Sequence, residues 1–181
     1  MALHQPHAVA LPTKGVIASY LPGADFADAY RIVVDHPERN AMAHLLCALQ
    51  YTPVWVRAMM HLRNRAVALV GLRSSPAWKP RATDGDRPYA IGERVGIFEL
   101  MHFDDDEVVA GDNDKHLRVL ISVQCEAPRD DRPAAVVMTT VVHIHNCLGH
   151  LYMLPVTPAH RVIAPAVLTC VNQSSNGVAQ R

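Results

Sequence analysis

The stretch Ala135-Val-Val-Met-Thr-Thr-Val-Val-His-Ile-His-Asn146 constrains the fold more than any other part of the chain. Its β-branched residues favour extended backbone, and period-two alternation sends Val136, Met138, Val142 and Ile144 to one side and Thr139, His143 and His145 to the other. Directly after it, Leu148-Gly-His-Leu-Tyr-Met-Leu-Pro-Val-Thr-Pro-Ala-His-Arg161 has a helical composition punctuated by proline. A long strand thus delivers the chain to a closing helix. Pro155, Pro158 and Pro165 each remove a backbone donor, so the tail is expected as a short turn near Leu148 to Leu154 and a main helix beginning after Thr157.

A second long strand precedes the first. Leu117, Val119, Ile121, Val123 and Cys125 alternate with His116, Arg118, Ser122, Gln124 and Glu126, with Leu120 alone breaking the polar side. A hairpin centred near Asp130 and Asp131 would set His116 against His145, Arg118 against His143 and Ser122 against Thr139. The apolar face belongs to the core, and the histidine-bearing face is expected as a solvated surface.

The rest of the layout follows from the same two periods. Ala29 to Val34 is a short strand with Tyr30, Ile32 and Val34 on one face, and Met42, Leu45, Leu46 and Leu49 recur at helical spacing after Pro37. Thr52-Pro53 marks a second helix whose stripe of Trp55, Met59, Leu62, Ala66 and Leu69 is expected in the core. Ser74 to Gly92 is linker-like. Strands are then expected over Val95 to Phe103, Glu107 to Ala110, His116 to Glu126 and Ala134 to Asn146, with turns at Asp104 to Asp106 and Gly111 to Lys115. Short breaks between strands favour hairpins. The expected fold class is therefore α+β: an antiparallel sheet with two helices after the first strand and a C-terminal helix packed on it. One domain spans residues 1–181, its ordered core at roughly 21–172.

Charge narrows the function classes. Lys+Arg and Asp+Glu stand at 17 each, so no net field favours nucleic acid or an anionic membrane. The longest apolar candidate considered for a membrane span, Pro53 to Leu72, carries Arg57, His61, Arg63, Asn64 and Arg65, and no stable membrane insertion is expected from it. Cys47, Cys125, Cys147 and Cys170 form no C-x-x-C pair and are read as reduced thiols of a cytoplasmic protein. No glycine-rich nucleotide loop or nucleophile elbow is present, and no cofactor is expected.

The chemistry on offer is histidine. H-x-H on a strand sets both imidazoles on one side roughly 7 Å apart, and His116 on the neighbouring strand could complete a three-nitrogen zinc site. The plainer reading is a polar surface without metal. Asp104 to Glu107 and Asp112 to Asp114 lack the spacing of a calcium loop and read as turns.

The segments Leu21-Pro-Gly-Ala-Asp-Phe-Ala-Asp-Ala-Tyr30, Thr52-Pro-Val-Trp-Val-Arg57, Ile91-Gly-Glu-Arg94, Asp114-Lys-His-Leu117 and Val142-His-Ile-His-Asn-Cys-Leu-Gly149, with Tyr152 and His160-Arg161, carry a resemblance. From about Leu21 to Leu168 the chain resembles a bacterial family of uncharacterised domains, domain of unknown function 2867. The resemblance implies a START-like helix-grip fold, in which a curved antiparallel sheet wraps a C-terminal helix and leaves an apolar cavity. The leading expectation is then a binding module for an apolar or amphipathic small molecule, lined by Trp55, Met59, Met60, Leu62, Met138 and Val142. An alternative is a cyclase- or hydratase-type enzyme using His116, His143 or His145 as general acid or base. A third is an interaction domain, a homodimer among its forms.

Overall fold

A computed structural model describes residues 4–60, 89–129 and 132–173. Seven strands form one antiparallel sheet: β1 (His7–Ala8), β2 (Phe26–Val33), β3 (Arg94–Val95), β4 (Phe98–Phe103), β5 (Glu107–Asn113), β6 (Leu117–Glu126) and β7 (Ala135–Ile144). Their order across the sheet is β1-β2-β7-β6-β5-β4-β3. The β-branched run becomes β7, the strand between β2 and β6, and its first eight residues are all buried. Leu117 faces Ile144, Arg118 faces His143 and Ser122 faces Thr139, which is the register expected from a hairpin centred near Asp130 and Asp131. The fold is α+β, as the order of periods predicts.

Helices cover one face. α1 (Ala41–Gln50) starts where the Asn40 side chain accepts from the Ala43 amide at 2.9 Å, and it drives Met42, Leu45, Ala48 and Leu49 against Ile32, Val108, Val123 and Val136. A further helical stretch, α2, is described over residues 54–60. α3 (Cys147–Leu168) lies on the same side and contributes Ala164 and Leu168 to this cluster.

The opposite face is covered too, which corrects the expectation of a solvated surface. A 3-10 turn at Ile17–Tyr20 lies within an N-terminal strap that buries Val109, Leu120 and Val141 against Ile17. Ile17, Val109, Leu120 and Val141 are all fully enclosed. A strand covered on both faces reads as a continuous apolar run, which explains the shape of β7. Packing therefore begins N-terminal of residue 21.

Several local expectations change. Val95 to Phe103 is two strands: Gly96, at φ 64°, turns the chain between paired Val95 and Phe98. β5 runs on through Gly111 to Asn113, so only Asp114 to His116 turns. The Thr52 hydroxyl donates back to the Ala48 carbonyl at 2.9 Å, and the helical stretch begins at residue 54, one past Pro53. Trp55 and Met59 are 43% and 40% exposed, and Val56 is the buried residue among 54–60. Leu62, Ala66 and Leu69 fall outside the described residues.

α3 is one continuous helix with all three prolines inside it. The reason lies in its periodicity. Pro155 and Pro158 are exposed and Pro165 half-buried, and the carbonyls they leave without donors, on Leu151, Leu154 and Arg161, belong to exposed residues. Solvent can satisfy groups that a buried helix could not. Together with the turn that follows, Cys147–Asn172 is long and apolar enough by length and composition to cross a membrane. Here it lies on the sheet, with Met153, Ala164 and Leu168 buried.

The start of α3 depends on Gly149. The Asn146 side chain accepts from its amide at 3.1 Å, and a Cβ there would fall on the His116 carbonyl oxygen and the Ile144 side chain, well inside contact distance. Gly149→Ala gains helix propensity yet pushes against backbone. We expect a net loss of about 1–3 kcal/mol in urea unfolding, whereas a variant as stable as the parent would mean the helix start shifts freely.

Candidate functional site

Strand geometry puts Phe26, Asp28, Tyr30 and Ile32 on one side of β2, the side turned to the helices, with Asp28 opposite Thr140 and Tyr30 opposite Met138. A carboxylate on an apolar sheet face calls for a partner. α3 brings it: His160 Nε2 lies 3.1 Å from Asp28 Oδ1, with the two side chains only 20% and 18% exposed. The Phe26 ring meets the imidazole edge-on, centroids 5.6 Å apart at 88°. Asp28 Oδ2 is buried and has no partner in ideal hydrogen-bond geometry, the Tyr30 phenol being the donor beside this carboxylate.

Tyr30 completes the group. Burial raises its hydroxyl above the ordinary tyrosine value, the charge of the neighbouring Asp28 carboxylate adds to this, Arg161 works the other way, and a hydrogen bond from the phenol to Asp28 raises it further. The phenol therefore stays protonated at neutral pH. Once Nε2 of His160 is engaged by the carboxylate, Nδ1 is the ring nitrogen left for another partner. This arrangement can hold a polar group against an apolar wall, or move a proton to or from it.

The histidines singled out from sequence do other work. His143 Nε2 lies 2.9 Å from the Tyr20 carbonyl, tying the strap to β7, and the Arg118 guanidinium sits 4.9 Å above the Tyr20 ring. His145 Nδ1 lies 3.0 Å from the Asp114 carbonyl, and its amide donates to His116 O at 2.9 Å. His116 Nδ1 is 3.3 Å from Oδ1 of Asn146, the residue that caps α3. They share the expected region, but each imidazole has its own partner. No group of three or more His, Cys, Asp or Glu residues among those described could hold a metal ion.

Of the residues expected to line a pocket, Met138 and Val142 are buried on the helix-facing side of β7. Met60 is half-buried and Trp55 and Met59 are exposed, while Leu62 lies outside the described residues. Asp28, Tyr30 and His160 were not singled out as a site. The signal available was a charged residue stepping onto the same strand face as Tyr30 and Ile32.

A separate open cleft of about 470 Å³ lies beside α1, where Arg39, His44, Asp105, Asp106 and Cys125 are among its lining residues. Burial, helped by the charge of Arg39, pushes His44 down to about 4, and burial pushes the Cys125 thiol up to about 11. Both are neutral at pH 7, so this cleft offers neither a thiolate nor an imidazolium.

The sheet, its two-sided cover and an internal Asp–His–Tyr group define an α+β domain with a half-buried polar cluster on its helix-facing side. The chain belongs to the family described as protein of unknown function (DUF2867), whose model matches residues 20–167 and so takes in Asp28, Tyr30 and His160. Neither a curated protein nor a solved structure matches it.

Proposed function

We propose that this domain binds an amphipathic small molecule between the helix-facing side of its sheet and α3. One observation carries this: a half-buried polar group, Asp28 with His160 and Tyr30, stands on a sheet face that is otherwise largely apolar. An apolar pocket with a few convergent polar groups is the usual form of a small-molecule site. Phe26, Val119 and Ile121 on the sheet and Tyr152, Val156 and Ile163 on α3 are only half-buried, although Met153 and Leu168 beside them are closed off. They supply an apolar wall near the polar group. The order of elements, with the first long strand beside the last and a long helix across both, supports a helix-grip relationship.

The test is titration with a panel of octyl and steroid-like amphiphiles that displace a naphthalene fluorophore, beside native mass spectrometry of gently purified protein. Saturable displacement is expected, and Ile121→Trp, which fills space above the sheet, should weaken it about tenfold while keeping a cooperative unfolding transition. No saturable binding by any member of the panel would sink this reading. The exposed ridge of Leu151, Leu154 and Val162 on α3 would then favour the interaction-domain alternative.

A further inference from the structure

We propose that the strap-facing side of the sheet carries a separate binding site for a small organic carboxylate, with Arg31 as the group that receives it. An open cleft of about 480 Å³ lies there, a volume within the range of small-molecule sites. Arg31, Val137 and Gln124 face one another across β2, β7 and β6, one rung on the side of the sheet opposite Tyr30, and all three line the cleft. Val9, Ala10 and Pro12 of the strap also line it, with Glu126, Arg132 and Pro133 from the connection between β6 and β7. The Val9 amide donates to the Ala29 carbonyl at 2.9 Å and the Gln124 side-chain amide to the Lys14 carbonyl at 3.2 Å. The strap is thereby fixed where it borders the cleft.

Arg31 has donors to spare. Its side chain is 19% exposed, with Nε donating to Glu126 Oε2 at 2.7 Å and Nη2 to the Pro133 carbonyl at 3.3 Å. A guanidinium carries five N–H groups, so two on Nη1 and one on Nη2 have no partner among the described residues, and Nη1, unlike Asp28 Oδ2, is not sealed off. A carboxylate accepts two such N–H groups side by side, and apolar surroundings strengthen the bonds. Charge selects the class of anion. Among the lining residues the guanidiniums of Arg31 and the exposed Arg132 stand against the single carboxylate of Glu126, and the one positive charge left over suits a monoanion better than a doubly charged phosphate. Val9, Pro12 and Val137 offer the rest of the ligand an apolar wall. The site is independent of the amphiphile reading, which concerns the helix-facing side.

The experiment follows backbone amide shifts of the full chain by NMR while benzoate, benzamide and inorganic phosphate are titrated in separately. Benzoate should saturate and move the amides of Val9, Ala10, Gln124 and Val137, with benzamide, which has the same ring and no charge, about tenfold weaker or more. Arg31→Gln should lower benzoate affinity about tenfold, and Glu126→Gln, which removes the competing carboxylate, should raise it about threefold. The second variant decides if Arg31→Gln loses its cooperative unfolding transition, because a gain in affinity does not come from a damaged fold. Benzoate affinity unchanged by either substitution overturns Arg31 as the receiving group. Equal binding of benzamide overturns the anion assignment, and tighter binding of phosphate overturns the choice of carboxylate. No saturable binding of benzoate, or saturation that moves residues of α3 instead of the cleft, removes this site, and neither result counts against the amphiphile proposal.

Discussion

Glu107→Ala is expected to destabilise the fold by on the order of 4 kcal/mol in urea unfolding and to free the N-terminal strap. Glu107 begins β5 on the strap-facing side and is 5% exposed. Its carboxylate accepts from the Val16 amide at 2.5 Å, the Ile17 amide at 3.0 Å and the Ser122 hydroxyl at 2.9 Å. Three donors converge on one buried charge, and alanine would leave them unpaired in a water-poor place. Gly15 is part of the same lock: its φ of 89° suits glycine, and a Cβ there would fall on the Gln124 amide and the Glu107 carboxylate. Ser122→Ala removes one donor and should cost only about 1 kcal/mol. Hydrogen exchange at Val16 and Ile17 should accelerate strongly in Glu107→Ala. A loss below about 1 kcal/mol, with those amides still protected, would mean that the apolar contacts of Ile17 hold the strap without the carboxylate.

His44 governs the second large effect. It is 1% exposed, its Nδ1 has no hydrogen-bond partner, and burial together with Arg39 and His36 holds it at about 4, Glu38 opposing. The folded value lies below the unfolded one near 6.5, so the unfolded chain binds the extra proton between these pH values. Stability from this group is therefore complete above about pH 6.5 and lost as pH falls toward 4, by about 3 kcal/mol in all. His44→Leu keeps a similar volume and removes the titration. It should match or exceed the parent at pH 7, because an unpaired buried nitrogen is gone, and should flatten the fall between pH 6.5 and 4. Parallel stability–pH curves for the two proteins would show that His44 finds a proton-stabilising partner when charged.

Reading faces and reading partners are different problems, and the histidines show it. Alternation along β6 and β7 sorted their faces, and a hairpin centred near Asp130 and Asp131 then set Arg118 against His143, the pairing observed. What each imidazole touches could not follow from that pattern. The carbonyl of Tyr20 reaches His143 from a strap more than a hundred residues away in sequence, and no local pattern encodes that approach. Asp28 and His160 are likewise joined across 132 positions, and only the lie of α3 over β2 brings them together.

The sequence by itself determined the α+β class, the antiparallel meander, the register of its long hairpin and the first helix, since these depend on backbone propensity and side-chain period within short windows. Tertiary structure alone decided three things. It put the strap over the face expected to meet water, because apolar residues such as Leu120, Val141 and Ile17 gain more from mutual burial than the alternation suggested. It kept α3 continuous through Pro155, Pro158 and Pro165, because the carbonyls of Leu151, Leu154 and Arg161 belong to exposed residues. And it brought Asp28, Tyr30 and His160 together, because a charge on an apolar strand face is tolerated only where another element brings it a partner.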